Sequence, residues 1–449
     1  MPARRAVPGM LRDVHAALLD AANSSDGEVV RIGLGLSRPY LVTHPAHVQQ
    51  VLAERPTVYQ RGSDTALWRS VRRVVGDGIL GEGEEWTTSR KVLAPLFRPA
   101  RITGIAASLV ATVADAVQGI EAAAATATPV DMAGELTRIV AGVSVRTFFA
   151  DRLSLDDALR ITEAQATILT AMIPRVVAPF VPWWLPMPGD RRFHASVRTI
   201  DDILLPVLRR AVHEPTDGDD VLSMLVRARA ADGDALPDRR MRDDLVSMVA
   251  VATETSQTAL TWLWPVLAGR PDVTARLTDE IDRVVGAGPV RAEHLTRLTY
   301  TGMVLTELLR LYPPGWILPR RATTDDVLGG VRIPKGATVL LSPYATARMP
   351  QFWGPTAGEF DPDRFAPGRA EAQGRHRYAH FPFGGGMHRC VGEHLFHLQA
   401  TLIVATVLHR FQFTAVDDTP PGVEVAGLLR ARQPVSLTFT RRQRDQERV

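Results

Sequence analysis

The feature that most constrains the fold is a stretch near the C-terminus, "GEHLFHLQATLIVATVLHRF" (residues 392–411), which is apolar on nearly every face of the helix that it predicts. Its apolar residues recur at helical spacing and cover most of the circumference: Leu395, Leu398, Leu402, Ile403, Val404, Ala405 and Val407. A helix that is apolar all round is buried in the centre of a large protein. With 449 residues, 45% of them hydrophobic, the chain has enough apolar material to surround it.

A second unusual helix is predicted over residues 241–267, "MRDDLVSMVAVATETSQTALTWLWPVL". It would be on the order of 40 Å long at 1.5 Å per residue. Its apolar middle is interrupted by a polar cluster over residues 253–258. Pro265 lies inside the pattern, and because proline removes a hydrogen bond and clashes with the carbonyl of Thr261, we expect a kink or an end there.

The rest of the chain predicts a mainly α protein with a minor β portion. Residues 45–322 are mostly amphipathic helix by periodicity. "EVVRIGLGLSRPYLVTHP" (28–45) and the terminal "GLLRARQPVSLTFTRR" (427–442) predict hairpins, and "GGVRIPKGATVLLSP" (329–343) predicts short strands. No linker, repeat or low-complexity tract divides the chain, so we expect a single domain over residues 1–449.

Composition argues against several classes of protein. The formal charge is only +3 and the arginines are scattered, which gives little support for nucleic-acid binding. One cysteine cannot form an intramolecular disulfide, which favours a reducing compartment. No apolar run reaches the length of a membrane span. We therefore expect a soluble, cytoplasmic protein, and a monomer.

Cys390, the single cysteine, directly precedes the apolar helix. A helix N-terminus favours the thiolate, which serves as a nucleophile or as a metal ligand. A nucleophile would need a partner such as His388 or a residue brought close by the fold. As an axial ligand of haem, one thiolate suffices, and the glycines at 384–386 would let a flat group approach the backbone. Residue type alone favours a third interpretation, an inert buried thiol.

"FGGGMHRCVG" resembles the haem-binding loop of the cytochromes P450, and matches it at Phe383, Gly386, His388, Cys390 and Gly392. The resemblance implies that Cys390 is the proximal ligand of the iron of haem b, that Phe383 packs near the sulfur, and that His388 faces a haem propionate. Most members of the family have Arg at that position. Histidine binds a carboxylate less strongly than a guanidinium does.

Other segments match the family in the expected order. "WTTSR" supplies Trp86 and Arg90, spaced i,i+4, and "ILPRRATTDDVLGG" supplies Arg320; the resemblance implies that all three bind propionates. The expected cofactor-binding set is Trp86, Arg90, Ala252, Arg320, Phe383, Gly384, His388, Cys390 and Gly392.

"ELLR" and "FDPDRF" resemble the family's Glu-Arg-Arg network. The members here would be Glu307, Arg310 and Arg364, and the network is structural, since it braces the haem-binding core.

"VATETS", the polar cluster of the long helix, resembles the family's oxygen-activation segment. The resemblance implies that Glu254 and Thr255 are catalytic, since an ionisable acid and an alcohol that orders water can relay protons. The Thr255 hydroxyl can turn to the carbonyl four residues back and loosen the helix. Ala252 stands where glycine is usual.

The resemblance covers nearly the whole chain and implies a single-domain cytochrome P450 fold, with haem held between the long helix and the Cys helix. The implied activity is monooxygenation with O₂. Electrons would come from NAD(P)H through a separate ferredoxin reductase and ferredoxin, since no fused redox domain is apparent. A basic set near the proximal side is expected to attract an acidic ferredoxin: Lys91, Arg98, Arg101, Arg375 and Arg389.

The expected substrate is a hydrophobic small molecule, held by Trp68, Val249, Thr253, Trp316, Ile317 and Leu428. The motifs are similar to those of soluble actinobacterial P450s of terpenoid and other secondary metabolism, so a terpenoid is the first expectation and a macrolide or fatty acyl compound the alternative. Two other classes stay open, a haem-thiolate sensor without turnover and a Cys-dependent hydrolase or transferase.

Overall fold

The computed structural model describes residues 13–33, 38–62, 72, 76, 78–172, 174–175, 181–182, 184–231, 238–369, 374–417, 419–424 and 427–442. It is 59% helical and 10% strand, which confirms the predicted mainly α fold with a minor β portion. Trp68, named for the predicted substrate pocket, lies outside the described residues.

The helices are longest in the middle of the chain. In order they are α1 (Val14–Asn23), α2 (Pro45–Gln49), α3 (Gly83–Leu93), α4 (Pro99–Gly104), α5 (Ala106–Ala116), α6 (Gln118–Thr126), α7 (Met132–Phe149), α8 (Leu155–Ala171), α9 (Asp190–His213), α10 (Val221–Ala231), α11 (Asp238–Ala268), α12 (Pro271–Val285), α13 (Ala292–Leu295), α14 (Thr299–Leu311), α15 (Pro343–Thr346), α16 (Pro350–Trp353) and α17 (Glu393–Arg410).

Side-chain caps set several of these boundaries. Asp13 accepts hydrogen bonds from the backbone N–H groups of the first turn of α1, and Asp131 does the same for α7. Ser154 accepts from Asp157 N at the start of α8. Such caps satisfy donors that the helix itself cannot.

Within the described residues, the strands form four small sheets. They are β1 (Val30–Arg31), β2 (Tyr40–Val42), β3 (Tyr59–Gln60), β4 (Val130–Asp131), β5 (Leu318–Ala322), β6 (Asp326–Leu328), β7 (Val331–Ile333), β8 (Thr338–Leu341), β9 (Phe411–Ala415), β10 (Val423–Glu424), β11 (Arg430–Ala431) and β12 (Ser436–Arg441). The largest sheet has the order β1-β2-β8-β5-β3, and the others are β4-β12-β9, β6-β7 and β10-β11.

The early hairpin is confirmed, because β1 and β2 pair antiparallel. The predicted terminal hairpin is wrong: β11 pairs with β10, whereas β12 pairs with β4 and β9. Alternation of apolar residues showed that this stretch is extended, but it could not identify partners that lie far away in the sequence.

The two helices with unusual sequences lie in the core. In α17, all residues from Gln399 to His409 are buried, as its all-round apolar pattern predicts. The helix packs against α5, α12, α14 and α11. α11 continues through Pro265 and ends three residues later at Ala268, close to the predicted end. No helix in the described part of the chain is long and apolar enough to cross a bilayer.

Candidate active site

A cavity of about 330 Å³ lies between α11 and the loop that carries Cys390. We call it the haem cavity, after the group that the sequence predicts there. One wall is α11, the opposite wall is the Cys loop with the start of α17, and apolar side chains close the ends. The apolar residues include Phe97, Phe148, Leu309, Leu318 and Leu428.

Cys390 lies on the wall opposite α11. Its backbone N–H donates to Phe383 O (2.9 Å), which fixes the loop, and its thiol is exposed onto the cavity. α17 begins only at Glu393, so Cys390 stands outside its first turn. Burial within the protein raises the pKa of this thiol, and a hydrogen bond from the Gly392 backbone only partly offsets the rise. Arg90 and Arg61 also act to lower this pKa, but burial has the larger effect. A coordinated metal would stabilise the thiolate further.

Two of the three loop glycines serve a different purpose from the one expected. A Cβ on Gly386 would lie 1.8 Å from Leu52 O, and one on Gly385 would lie 2.4 Å from the Tyr378 ring. These two glycines let the loop pack against the protein itself. Gly384, with φ of +70°, lines the haem cavity and needs glycine for its backbone conformation.

The α11 wall consists of Ser247, Met248, Val251, Ala252, Thr255 and Ser256. Thr255 Oγ1 donates to Val251 O (2.6 Å), which is the bond four residues back that the sequence suggested. Ala252, the predicted stand-in for glycine, lies on the same wall.

Of the predicted pocket residues that the structure describes, which exclude Trp68, only Leu428 lies on the cavity wall. Val249 is buried in the main core and Thr253 Oγ1 contacts Ser144 Oγ (3.3 Å), so both lie on other faces of α11. Trp316 packs against His15, with ring centroids 4.4 Å apart, and Ile317 joins the same cluster. Helical periodicity fixed the spacing of the wall residues but not the face that α11 turns to the cavity.

The rim of the haem cavity is basic. Arg61, Arg90, Arg320 and His388 all line it. Burial lowers the pKa of each of the four side chains, for Arg320 to about 10. Among the described residues, neither Arg90 nor Arg320 has an ion-pair partner; Arg320 donates only to the carbonyl of Pro319 (2.8 Å). Buried cations without counter-ions are costly, so this rim favours an anionic ligand.

One carboxylate, Glu82, lies at this rim. Its Oε2 is 3.3 Å from His388 Nε2, and its Oε1 accepts from Arg61 N (2.7 Å). The Trp86 and His388 rings lie 4.2 Å apart. Trp86 Nε1 and His388 Nδ1 are both buried and find no hydrogen-bond partner among the described residues. The rim of the haem cavity therefore offers two ring nitrogens without hydrogen-bond partners beside the guanidinium groups of Arg90 and Arg320, which have no ion-pair partner among the described residues.

These features fit haem. Its two propionates would supply the negative charge that the rim lacks, and the unpaired Trp86 and His388 nitrogens offer polar contacts to them. A flat macrocycle suits the gap between α11 and the Cys loop. The thiol whose pKa burial raises would be stabilised as a thiolate by the iron.

Sequence reasoning missed Arg61 and Gln399. Arg61 donates to the carbonyls of Leu80 (2.8 Å) and Gly81 (3.4 Å), and no motif surrounds it. Gln399 donates to Ser256 Oγ (2.7 Å) and so connects α17 to α11 beside Thr255. Its only sequence signal is a polar residue within an otherwise apolar helix.

The predicted three-residue network is assembled away from the haem cavity. Glu307 accepts two hydrogen bonds from Arg310 (2.6 and 2.7 Å), and its Oε1 also lies 3.5 Å from Arg364 Nε. The side chains of Glu307 and Arg310 are fully buried. The guanidinium of Arg310 further donates to three backbone carbonyls, those of Ala347, Ala357 and Glu359.

Glu254 does not line the haem cavity, although it adjoins Thr255. It lines a separate cavity of about 510 Å³, and its Oε1 forms an ion pair with Arg430 Nη2. The acid and the alcohol of the predicted relay therefore stand on different sides of α11.

Comparison with known proteins gives a consistent result. The family model described as "Cytochrome P450" matches residues 12–439. The chain is 30% identical over 400 residues to pentalenene oxygenase of Streptomyces avermitilis, covering 88% of this chain and 86% of that protein. It is 31% identical over 408 residues to cyclooctat-9-en-7-ol 5-monooxygenase of Streptomyces melanosporofaciens, covering 89% and 85%. Cyclooctatin synthase of the same organism is 30% identical over 93% of this chain and 88% of that protein.

Proposed function

The chain belongs to the cytochrome P450 family and is a monooxygenase, and we propose that it inserts one oxygen atom of O₂ into a C–H or C=C bond of a terpenoid. The observation that carries this proposal is the haem cavity, where the single cysteine faces Thr255 across a gap with a basic rim. The relatives named for pentalenene and cyclooctat-9-en-7-ol oxidation support the substrate class.

The lining of the haem cavity favours an apolar substrate. Phe97, Phe148, Met248, Val251 and Leu428 provide hydrocarbon surface, and the charged groups are at the rim, where the propionates would neutralise them. Burying apolar ligand surface against such a wall provides the binding free energy, while shape selects among ligands. A macrolide or fatty acyl compound is the alternative within the same chemistry.

The residues divide the work of binding haem b. Cys390 would provide the thiolate ligand of the iron, Phe383 would pack beside it, and Arg90, Arg320, Trp86 and His388 would hold the propionates. When bound, haem supplies the activation of O₂, and its thiolate ligand favours O–O cleavage. The protein's part is to orient the substrate, exclude water and deliver protons.

Thr255 and Glu254 are the proposed proton path. The Thr255 hydroxyl faces the haem cavity and can order water there, while Glu254 faces the second cavity and can take protons from it. Replacing Glu254 by Gln removes the acid without changing the volume, so we expect slower turnover and more H₂O₂ formed per electron pair.

Electrons are proposed to come from NAD(P)H through a ferredoxin reductase and ferredoxin in the cytoplasm, where the protein acts as a monomer. The predicted basic set is weaker as a docking site than its charges suggest. Arg389 is paired with Glu393 at two distances of 2.7 Å, Arg101 lies 3.7 Å from Asp219, and Arg375 stacks on Trp353 at 4.0 Å. We therefore expect only a modest fall in the rate of reduction as ionic strength rises.

The test of the haem-thiolate proposal is the spectrum of the dithionite-reduced protein under CO. A strongly red-shifted Soret band is expected, and it should be lost in Cys390→Ser. A protein that binds no haem, or whose band does not depend on Cys390, would contradict the proposal and reopen the hydrolase or transferase interpretation.

Substrate class is tested by binding spectra with a panel of cyclic terpenes, fatty acids and macrolides, followed by turnover with ferredoxin, reductase and NADPH. We expect a high-spin shift and a hydroxylated or epoxidised product with a terpene. Product from another class alone would refute the terpenoid assignment. Binding without product from any compound would favour a sensor.

A further inference from the structure

Part of the wall of the haem cavity is a short loop, residues 78–82, which directly precedes α3 and which we call the wall loop. Two of its side chains, Ile79 and Leu80, line the haem cavity. Both residues lie in a turn rather than in a helix or a strand. The position of this wall therefore depends on groups that reach the backbone of the wall loop from other elements.

Asp244, in α11, binds the wall loop and α3 at the same time. Its side chain is fully buried, and its Oδ1 accepts a hydrogen bond from the backbone N–H of Ile79 (2.8 Å). Its Oδ2 accepts from Ser89 Oγ (2.8 Å), in α3. Because a carboxylate accepts through both of its oxygens, this one side chain joins three elements, namely α11, α3 and the wall loop.

The glycine before Ile79 makes this close approach possible. A Cβ on Gly78 would overlap Asp244 Oδ1, so a larger residue there would push the carboxylate and the wall loop apart. The φ of Gly78 is not in the left-handed region, so the approach of the carboxylate, and not the backbone conformation, calls for glycine. The carbonyl of Gly78 also accepts from Gly81 N (2.8 Å), which closes the turn.

Arg61, at the rim of the haem cavity, binds the carbonyl groups of the wall loop. Its Nη1 donates to Leu80 O (2.8 Å) and to Gly81 O (3.4 Å). The wall loop is thus held through its backbone acceptors by Arg61 and through a backbone donor by Asp244. These contacts connect the cavity wall to the rim, where the propionates would lie, and to the part of α3 that carries Arg90.

We propose that Asp244 is a positioning residue for the substrate: it fixes the wall loop to α11 and α3, so that Ile79 and Leu80 present a wall of set shape to the ligand. The inference rests on the proposed function and deepens it, since Asp244 does not itself line the haem cavity but determines which apolar substrates fit there. A wall that is ordered beforehand costs no further ordering when a ligand binds. Bulky, rigid ligands gain most from it, because they cannot adapt their own shape.

Hydrogen exchange of the peptide that contains Ile79, measured on the holoenzyme without substrate, tests the contact directly. Asp244→Leu removes both acceptors, so the Ile79 amide should exchange about tenfold faster than in the wild type. Asp244→Asn should restore most of the protection, because its carbonyl can accept from Ile79 N and its NH₂ can donate to Ser89 Oγ. Asp201→Asn is the matched control, because Asp201 joins α9 to α11 through Arg242 Nε (2.7 Å) and not through the wall loop. Unchanged exchange in Asp244→Leu would overturn the inference.

The effect on ligand shape is tested by spectral titration of the holoenzyme with imidazole and 4-phenylimidazole. Both probes coordinate the haem iron, and they differ by one rigid ring. In Asp244→Leu the dissociation constant of 4-phenylimidazole should rise about tenfold, whereas that of imidazole should stay as in the wild type. An equal change for both probes, or none for either, would refute the role in positioning the wall.

Gly78→Ala separates the wall loop from the carboxylate without altering any charge, and gives a second test should Asp244→Leu not fold. It should weaken 4-phenylimidazole binding as Asp244→Leu does, and the double variant should be no weaker than either single one, because both changes break the same contact. Gly104→Ala is the control, since a Cβ there meets nothing within 4 Å. Additive effects of the two changes would contradict a shared contact.

The CO spectrum of the wild type distinguishes a failure of this inference from a failure of the haem-thiolate proposal. The latter failure would remove the red-shifted band from the wild type and leave the slow exchange of the Ile79 amide in place. A wild type with the band, but with an Ile79 amide that exchanges as fast as in Asp244→Leu, would contradict the role of Asp244 alone.

Discussion

Two buried clusters of charged side chains in this protein differ in whether the protein itself supplies their hydrogen-bond and ion-pair partners. Around Glu307, the carboxylate accepts hydrogen bonds from Arg310 and lies 3.5 Å from Arg364 Nε. Both guanidinium groups also donate to backbone carbonyls, so nearly every donor has an acceptor. At the rim of the haem cavity, Arg90 and Arg320 have no ion-pair partner among the described residues, and Trp86 Nε1 is buried without an acceptor.

This difference distinguishes a cluster that stabilises the fold from a cluster that binds a ligand. A cluster that is complete within the chain can contribute to folding before any ligand arrives. A cluster with surplus donors is unfavourable until a ligand supplies acceptors, because buried polar groups without partners cost free energy. The first cluster should therefore govern the stability of the apoprotein, and the second the retention of haem. Each change below alters one cluster and should affect only one of these two properties.

The largest expected effect is that of Glu307→Gln. The amide keeps the volume of the carboxylate but leaves two buried arginines without a counter-charge, which costs about 3–5 kcal/mol of unfolding free energy. Soluble yield and urea unfolding of the apoprotein measure the loss. Glu293→Gln is the control, because that side chain is 70% exposed and its nearest guanidinium lies 3.8 Å away. Equal stability of the two variants would show that the Glu307 cluster does not brace the fold.

At the rim, Arg320→Met is expected to act on haem instead. Loss of a charge-assisted hydrogen bond costs about 1.5–3 kcal/mol, or about 10- to 100-fold in haem affinity. The apoprotein should be no less stable, since the removed charge has no partner in it. Transfer of haem to a scavenging globin measures the affinity.

Arg321→Met is the control for that change, because successive residues of a strand point to opposite faces and Arg321 does not line the cavity. Faster haem loss from both variants alike would argue against a specific propionate contact.

Residues that belong to a short motif could be predicted from the sequence, and residues that only the fold brings together could not. Cys390, Arg90 and Glu307 each belong to a short pattern whose spacing is fixed within one loop or helix, so they could be found without a structure. Arg61 stands alone in its segment, and only the fold brings it to the rim. Val249 and Thr253 were predicted on the wall but lie on other faces of α11, because the rotation of this helix about its own axis depends on packing against α7 and α9.

Trp86→Phe should have a smaller effect than Arg320→Met, since it removes one neutral donor and keeps most of the ring. We expect about fivefold weaker haem binding, from about 1 kcal/mol. Trp264→Phe is a sharp control: Trp264 Nε1 is likewise buried without a partner among the described residues, but the ring packs against Phe413 and Phe439, away from the haem cavity. It should lower stability and leave haem affinity unchanged. If Trp86→Phe instead lowered stability and left haem affinity unchanged, Trp86 would act by packing alone.

The smallest expected effect is a gain. Burial lowers the pKa of His388, so this side chain is mostly neutral at pH 7 and is a weak partner for a propionate. A guanidinium at the same position stays charged and can bind Glu82 and a propionate together, so His388→Arg should slow haem loss by a small factor, about two- to fivefold. His394→Arg adds the same charge at an exposed position of α17 and should change nothing. Faster haem loss from His388→Arg than from His394→Arg would show that the rim already holds as much positive charge as the propionates can neutralise, and that the histidine here limits repulsion among Arg61, Arg90 and Arg320.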